Sequence, residues 1–240
     1  MRRLLSLLPV GLLAYLPAVA HAQSVSIDLG AAGQAGATAR IIQLAALVTL
    51  LSLAPSLLVM ATAFTRIVIV LSLLRSALGA QGAPPNTVLI GLALFLTWFV
   101  MQPVFEQSWT AGIAPMMDSR LNEIDGIKAA AEPFREFMLR NLRGGDLSFF
   151  QVLGHSPPED TSWRVVMPAF MIGELRRAFE MGFLLFLPFL IIDMVVASVL
   201  MSLGMMMLPP NVVSLPFKLV FFATVDGWRL VSGGLVRTFG

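Results

Sequence analysis

Gly204-Met205-Met206-Met207-Leu208-Pro209-Pro210-Asn211 lies between two long apolar runs and reads as the tip of a helical hairpin. The same outline stands earlier as Gly79-Ala80-Gln81-Gly82-Ala83-Pro84-Pro85-Asn86, again between apolar runs. Each copy is Gly, four residues, Pro-Pro-Asn, one residue and a valine, Val88 or Val213. Gly79 and Gly204 suit the left-handed position that ends a helix. Pro84, Pro85, Pro209 and Pro210 cannot continue it, and Asn86 and Asn211 are expected to cap the helices that follow. The chain therefore reads as two related hairpins, of which the second carries three methionines at its tip.

Working outward, the chain has 240 residues, of which 57% are hydrophobic and 12% charged. Mean hydropathy is +0.83. Soluble domains carry about a quarter charged residues, so this composition points to a membrane protein. A net charge of +2, with no Lys/Arg cluster, gives no reason to expect nucleic acid as a partner. There is no cysteine, which excludes disulfides, thiol catalysis and thiolate metal sites.

Arg2 and Arg3, the apolar stretch Leu4 to Leu16, and Ala20-His21-Ala22 have the pattern of a signal peptide with an A-x-A cleavage site. Cleavage after Ala22 is expected, which would remove residues 1–22 and leave 23–40 as a flexible lead-in outside the cytoplasmic membrane; the alternative is an uncleaved first anchor. The remaining organisation is a first hairpin over 41–105, an insert over 106–165 and a second hairpin over 166–240.

Four apolar segments follow the lead-in: Ile41–Phe64, Thr87–Phe105, Phe183–Leu203 and Val212–Val225. The first three meet the need for about 20 apolar residues in a membrane-spanning helix; the fourth is short and holds Lys218. Arg66 and Arg75 then fall on the cytoplasmic side, as the positive-inside rule prefers. Residues 106–180 fall outside with eleven Asp/Glu and eight Lys/Arg. A continuous helix from Ile41 to Leu78 would reach about 57 Å, well beyond a hydrocarbon core of about 30 Å. Either Pro55 kinks it or the hairpins pack against protein; Val165–Leu203, with Pro168 and Pro188, raises the same question. In the insert, Pro133 suits a first helical turn, Gly144-Gly145 ends that helix, and Asp146 caps a short turn through Phe149 and Phe150. Arg176 and Glu180, four residues apart, are placed to pair. No strand pattern is visible, so the fold expected is all-α: a polytopic membrane-type protein of two long hairpins with a helical extracytoplasmic insert.

Catalytic machinery is hard to find. His155 is the one histidine beyond the signal sequence and sits in a polar loop, where a solvated side chain is the simpler reading. Gly79-x-x-Gly82 precedes prolines and lacks the lysine of a phosphate-binding loop. Asp193 and Lys218 are intramembrane charges, each costly unless paired or hydrated. Folding the hairpin near Leu208 leaves them about 7.5 Å out of register, a gap that a lysine can partly span. A structural pair within or between subunits is one reading, and proton or ion coupling another. Asp193 and Asp226 on successive apolar helices would suit an intramembrane aspartyl protease, but the Gly-x-Gly-Asp signature is missing and Lys218 competes for Asp193. Met205, Met206 and Met207 either fill a hairpin tip or, arranged around an axis, form a compliant apolar gate.

Thr65-Arg66-Ile67-Val68-Ile69-Val70-Leu71-Ser72-Leu73-Leu74-Arg75, running through Pro84-Pro85-Asn86 to Leu92-Ala93-Leu94-Phe95-Leu96-Thr97, closely resembles the FliP family of flagellar biosynthesis proteins. So do Pro168-Ala169-Phe170-Met171-Ile172, Glu174-Leu175 and Gly182 to Met194. Gly204-Met205-Met206-Met207, Leu215-Pro216-Phe217-Lys218 and Val225-Asp226-Gly227-Trp228 complete the likeness, which covers about 41–105 and 166–230. The resemblance implies a gate component of the flagellar type III export apparatus, in the bacterial inner membrane at the flagellar basal body, with the N-terminus and insert in the periplasm. It implies a ring thought to hold five copies, with FliQ-like and FliR-like proteins and other export components as partners and unfolded flagellar subunits as cargo. It also implies hairpins assembled into a helical cone, Met205–Met207 as a methionine gasket, no cofactor and no enzymatic activity. A small-solute or ion transporter and a virulence-type secretion gate are the alternatives, although the signal sequence and large insert favour the flagellar branch.

Overall fold

A computed structural model describes residues 42, 44–45, 48–49, 52–53, 55–56, 59–80, 82–205 and 207–239. The expected cleavage site at Ala20 and Ala22, the lead-in at 23–40, and Met206 of the tip lie outside the described residues. The chain divides into an N-terminal unit, Met1–Leu50, and a larger one, Leu51–Gly240. In the first, Ile42, Leu44, Ala45, Val48 and Thr49 are helical.

Every regular element described in the larger unit is helical. Helix α1, Phe64–Leu78, turns at Gly79 into α2, Asn86–Ser108. A π-helical turn, Trp109–Ile113, leads through the short α3, Ala114–Met117, into the insert helices α4, Glu123–Asn141, and α5, Gly144–Leu153. The 40-residue α6, Trp163–Ser202, returns, and α7, Pro210–Thr224, and α8, Gly227–Arg237, close the chain. Among the described residues, two stretches are long and apolar enough to cross a membrane, Asn86–Met117 and Trp163–Ser202; α7 with α8, bent by 63°, makes a third if counted as one span.

The long helix expected from Ile41 is interrupted after Pro55, which itself lies in helical backbone. The break is at Ala61-Thr62-Ala63. There the Thr65 hydroxyl donates to the Val59 carbonyl at 3.2 Å, and the Thr62 hydroxyl accepts from the Phe64 amide at 3.4 Å. Threonine hydroxyls thus take up backbone groups that helical hydrogen bonds would otherwise use.

Ile67, Val70, Leu71, Leu74 and Leu78 of α1 recur at helical spacing and are buried, mainly against α6. Gly182 lets the two helices approach, since a Cβ there would lie 2.2 Å from Leu73 Cδ1. Helix α2 buries only a stripe three or four residues apart, Leu89, Ala93, Thr97, Met101, Val104 and Ser108. Its remaining apolar faces, with Phe95, Trp98 and Phe99, stay open. Helix α6 is buried through its first half by α1 and α5; beyond Gly182 only Phe189 and Leu200 are buried among its described residues.

The insert starts its main helix earlier than expected. Asn122 caps α4 by accepting from the Asp125 amide at 2.8 Å, so Pro133 falls inside the helix rather than in its first turn. Asp146 lies in the first turn of α5, which Gly144 and Gly145 begin rather than interrupt. Arg135 ties α4 to the loop before α6, donating to the Thr161 carbonyl at 3.0 Å and to Glu132. That hydrogen bond holds the Glu132 carboxyl below its ordinary pKa, against the opposing effect of burial.

Candidate functional site: hairpin tips and the ion pairs that join the hairpins

Both Gly-x4-Pro-Pro-Asn turns place glycine where only a left-handed backbone serves. Gly79 has φ 72° and Gly204 φ 73°. At the second tip, the Gly204 amide donates to Met201 O at 3.1 Å and the Met205 amide to Leu200 O at 3.0 Å. These bonds satisfy the orphan carbonyls of α6 in the Schellman pattern.

The asparagines do not cap, contrary to expectation. Pro85 and Pro209 occupy the cap positions, with extended ψ of 154° and 119°, and neither helix has a side-chain cap bond. Pro210, at the first position of α7, has no amide to leave unpaired there. Asn86 enters the first turn of α2, and its side-chain oxygen accepts from Arg75 at the end of α1, bracing the turn across its mouth. Asn211 sits in the first turn of α7, and its carbonyl accepts from the Ser214 hydroxyl at 3.2 Å. Beyond these braces, Met205 is 44% exposed and Met207 98% exposed. Met207 therefore points away from the protein's own core, and Met205 is partly open beside it.

Below the tips, Lys218 of α7 and Asp193 of α6 are 2.6 Å apart. Ser214 donates to the other Asp193 oxygen at 2.5 Å. Lys218 also donates to the Ala77 carbonyl at 3.1 Å, in the last turn of α1. A cation at a helix C-terminus meets both an orphan carbonyl and the negative end of the helix dipole. One ammonium thus joins both strands of the second hairpin to the end of the first. With Asp193 engaged by Lys218 and Ser214, its carboxylate is committed to cations and donors rather than to a second carboxylate. Asp226 ends α7 at φ 51° and makes no side-chain cap bond to α8.

A second ion pair lies nearer the insert. The Arg66 fork grips Glu174 of α6, with Nε to Oε2 at 2.7 Å and a second bond from Nη2 to Oε1. Both side chains are buried. The remaining Arg66 nitrogen donates to the Thr238 hydroxyl at 2.8 Å, and the guanidinium lies 3.7 Å over the Phe239 ring. In the sequence, Glu174 enters only as part of the family resemblance, with no partner assigned, and Thr238 is not singled out. Arg176 and Glu180 do not pair with each other: Arg176 reaches Asp146 at 2.9 Å, and Glu180 takes Arg143 at 2.7 Å. Packing of α5 on α6 supplies partners at right angles to the helix surface, which displace the weaker four-residue contact. His155 is exposed, at φ 51°.

Comparison with known proteins agrees with this architecture. The FliP family profile matches residues 47–235, spanning both hairpins and the insert. The flagellar biosynthetic protein FliP of Caulobacter vibrioides is 57% identical over 231 residues, covering 94% of this chain and 86% of the relative. The protein of the same name from Agrobacterium fabrum is 44% identical over 240 residues, 97% of this chain and 98% of its own length. That from Bacillus subtilis is 49% identical over 202 residues, 82% and 91% of the two chains. This chain belongs to the FliP family of flagellar biosynthetic proteins.

Proposed function

We propose that this protein is a core subunit of the flagellar type III export gate and forms part of the conduit for unfolded flagellar subunits. The observation that carries the proposal is the methionine tip, with Met205 and Met207 exposed at the end of the second hairpin, which Lys218 ties to the first through the Ala77 carbonyl. In a ring of copies, thought to number five and completed by FliQ-like and FliR-like proteins, such tips converge into an apolar collar around the passing chain. Methionine suits this, being unbranched and polarizable, so it conforms to varied side chains without selecting among them.

The open apolar surface supports assembly. Along α6, Phe183, Leu184, Leu190, Ile191, Met194 and Val195 are all exposed. Covering each removes about 1.5–3 kcal/mol of unfavourable exposure, so lipid or neighbouring subunits must take up this face. The assembled hairpins form a helical cone in the bacterial inner membrane at the flagellar basal body, with the N-terminus and insert on the periplasmic side. The protein acts as a passage rather than an enzyme and uses no cofactor. A partner ATPase and the proton gradient drive transport through other components.

The test is hook-subunit protein in the culture medium of a strain deleted for this chain, with and without a plasmid copy. Loss on deletion and recovery with the plasmid are expected. Undiminished secretion would overturn the proposal and direct attention to a virulence-type secretion gate or a transporter.

A further inference from the structure

A cleft of about 720 Å³ opens beside the Arg66–Glu174 pair, where the C-terminal end of α4, α6 and the residues after α8 meet. Arg66, Arg140, Arg143 and Arg177 line it, together with Glu180 and Thr238. Three of the four guanidinium groups are engaged: Arg66 by Glu174 and Thr238, Arg140 by Glu136 at 2.9 Å, and Arg143 by Glu180 at 2.7 Å. Arg177 is different. Its nearest carboxylate oxygen is Glu174 Oε1 at 3.9 Å, an oxygen that already accepts from Arg66. Its guanidinium donates no hydrogen bond among the described residues, although its side chain is only 22% exposed. Four arginines therefore share three carboxylates, Glu136, Glu174 and Glu180, and the surplus charge is a partly buried fork whose donors face the cleft without a protein acceptor among the described residues. Planar forks of this kind match the oxygens of a phosphate.

The surroundings indicate which phosphate. Phe183 and Leu184 are one turn beyond Glu180 on α6, are exposed, and begin the apolar run that continues to Leu203. The cleft is thus basic at its floor and continues into an apolar ridge at the edge of a candidate membrane span. We propose that it binds the phosphate headgroup of an anionic phospholipid, with Arg177 as the direct phosphate ligand, Arg140 and Arg143 flanking it, and the acyl chains lying along Phe183 and Leu184. Basic pockets between membrane helices are suited to such headgroups. The inference does not rest on the export reading, because its readout is lipid retention and not secretion.

The experiment uses the full chain, extracted in neutral detergent in its native assembly, and titrates fluorescent phosphatidylglycerol and phosphatidylcholine, with inorganic phosphate as competitor. Phosphatidylglycerol should bind about five- to tenfold more tightly than phosphatidylcholine, whose choline cancels the surplus charge. Arg177→Gln should remove that preference, and Arg177→Lys, which keeps the charge without the fork, should retain part of it. Equal affinity of the wild-type protein for the two lipids would overturn the proposal without recourse to any variant. Displacement by inorganic phosphate with no preference between the lipids would make this a free-anion site and overturn the lipid assignment. A normal lipid preference in Arg177→Gln, accompanied by loss of the oligomer, would also overturn it, in favour of a carboxylate from a neighbouring copy.

Discussion

Lys218 carries its charge where α1, α6 and α7 meet, and its three donors account for the junction: one to Asp193, one to the Ala77 carbonyl and the third left over. Removing the aspartate strands a buried ammonium. Loss of one partner from a buried pair typically costs about 3–5 kcal/mol. Asp193 is 34% exposed, so water offsets part of that, and Asp193→Ala should cost about 2 kcal/mol. The expected result is a lower thermal midpoint and lower yield of the purified assembly, both partly restored by adding Lys218→Met. Wild-type yield and midpoint in Asp193→Ala would refute the joining role. The Asp193–Lys218 relation was legible in the sequence because two charges stand out in apolar helices joined by a turn. The Ala77 carbonyl was not legible, since a backbone acceptor leaves no mark on residue type. Arg66 and Glu174 were each visible as charges among apolar residues, but they are 108 positions apart and no spacing rule couples them.

Two glycines at helix contacts distinguish close approach from mere tightness. At Gly112, in the π-helical turn, an added Cβ would lie 2.4 Å from both Ala130 N and Gly126 O, backbone atoms that cannot step aside. At Gly182 the obstacle is the Leu73 side chain, whose Cδ1 would be 2.2 Å away. Overpacking costs typically about 1–3 kcal/mol, while glycine to alanine within a helix returns up to about 1. Gly112→Ala should therefore cost about 3 kcal/mol, and trimming neighbouring side chains should not rescue it. Gly182→Ala should cost about 1–2 kcal/mol and be relieved by Leu73→Ala. Thermal midpoints of the four purified variants check this; equal losses at both glycines, or no relief from Leu73→Ala, would contradict the contact geometry. At this scale the sequence disclosed helices better than their ends. Apolar periodicity identified α1, α2, α6 and α7, whereas the break at Ala61–Ala63 depends on threonine hydroxyls that act only once the chain has bent. The start of α4 was marked by Asn122 and Asp125, three apart, a cap signal overshadowed by the more conspicuous Pro133.

The larger unit is a junction of helices with much apolar surface turned outward: in an apolar 18-residue window of α6, only 11% of the residues are buried among the described residues. Such a surface is stable only when lipid or further copies cover it, which is why the family resemblance, and not periodicity, carried the expectation of a ring. The methionine tip follows the same logic, because Met207 is almost wholly exposed and Met205 is 44% exposed. If tips from several copies close on one another, the seal depends on flexible apolar bulk and not on any one contact. Replacing Met205, Met206 and Met207 with glycine removes that bulk and also frees the backbone, so the closed assembly should leak ions. Replacing all three with leucine keeps similar volume but gives up unbranched flexibility, so the seal should hold while export of subunits slows. Ion permeability of cells carrying each triple variant, measured beside hook-subunit secretion, separates the two effects. A glycine variant as tight as wild type would show that the methionines merely fill the tip, and a leucine variant exporting at the wild-type rate would show that bulk, without compliance, is sufficient.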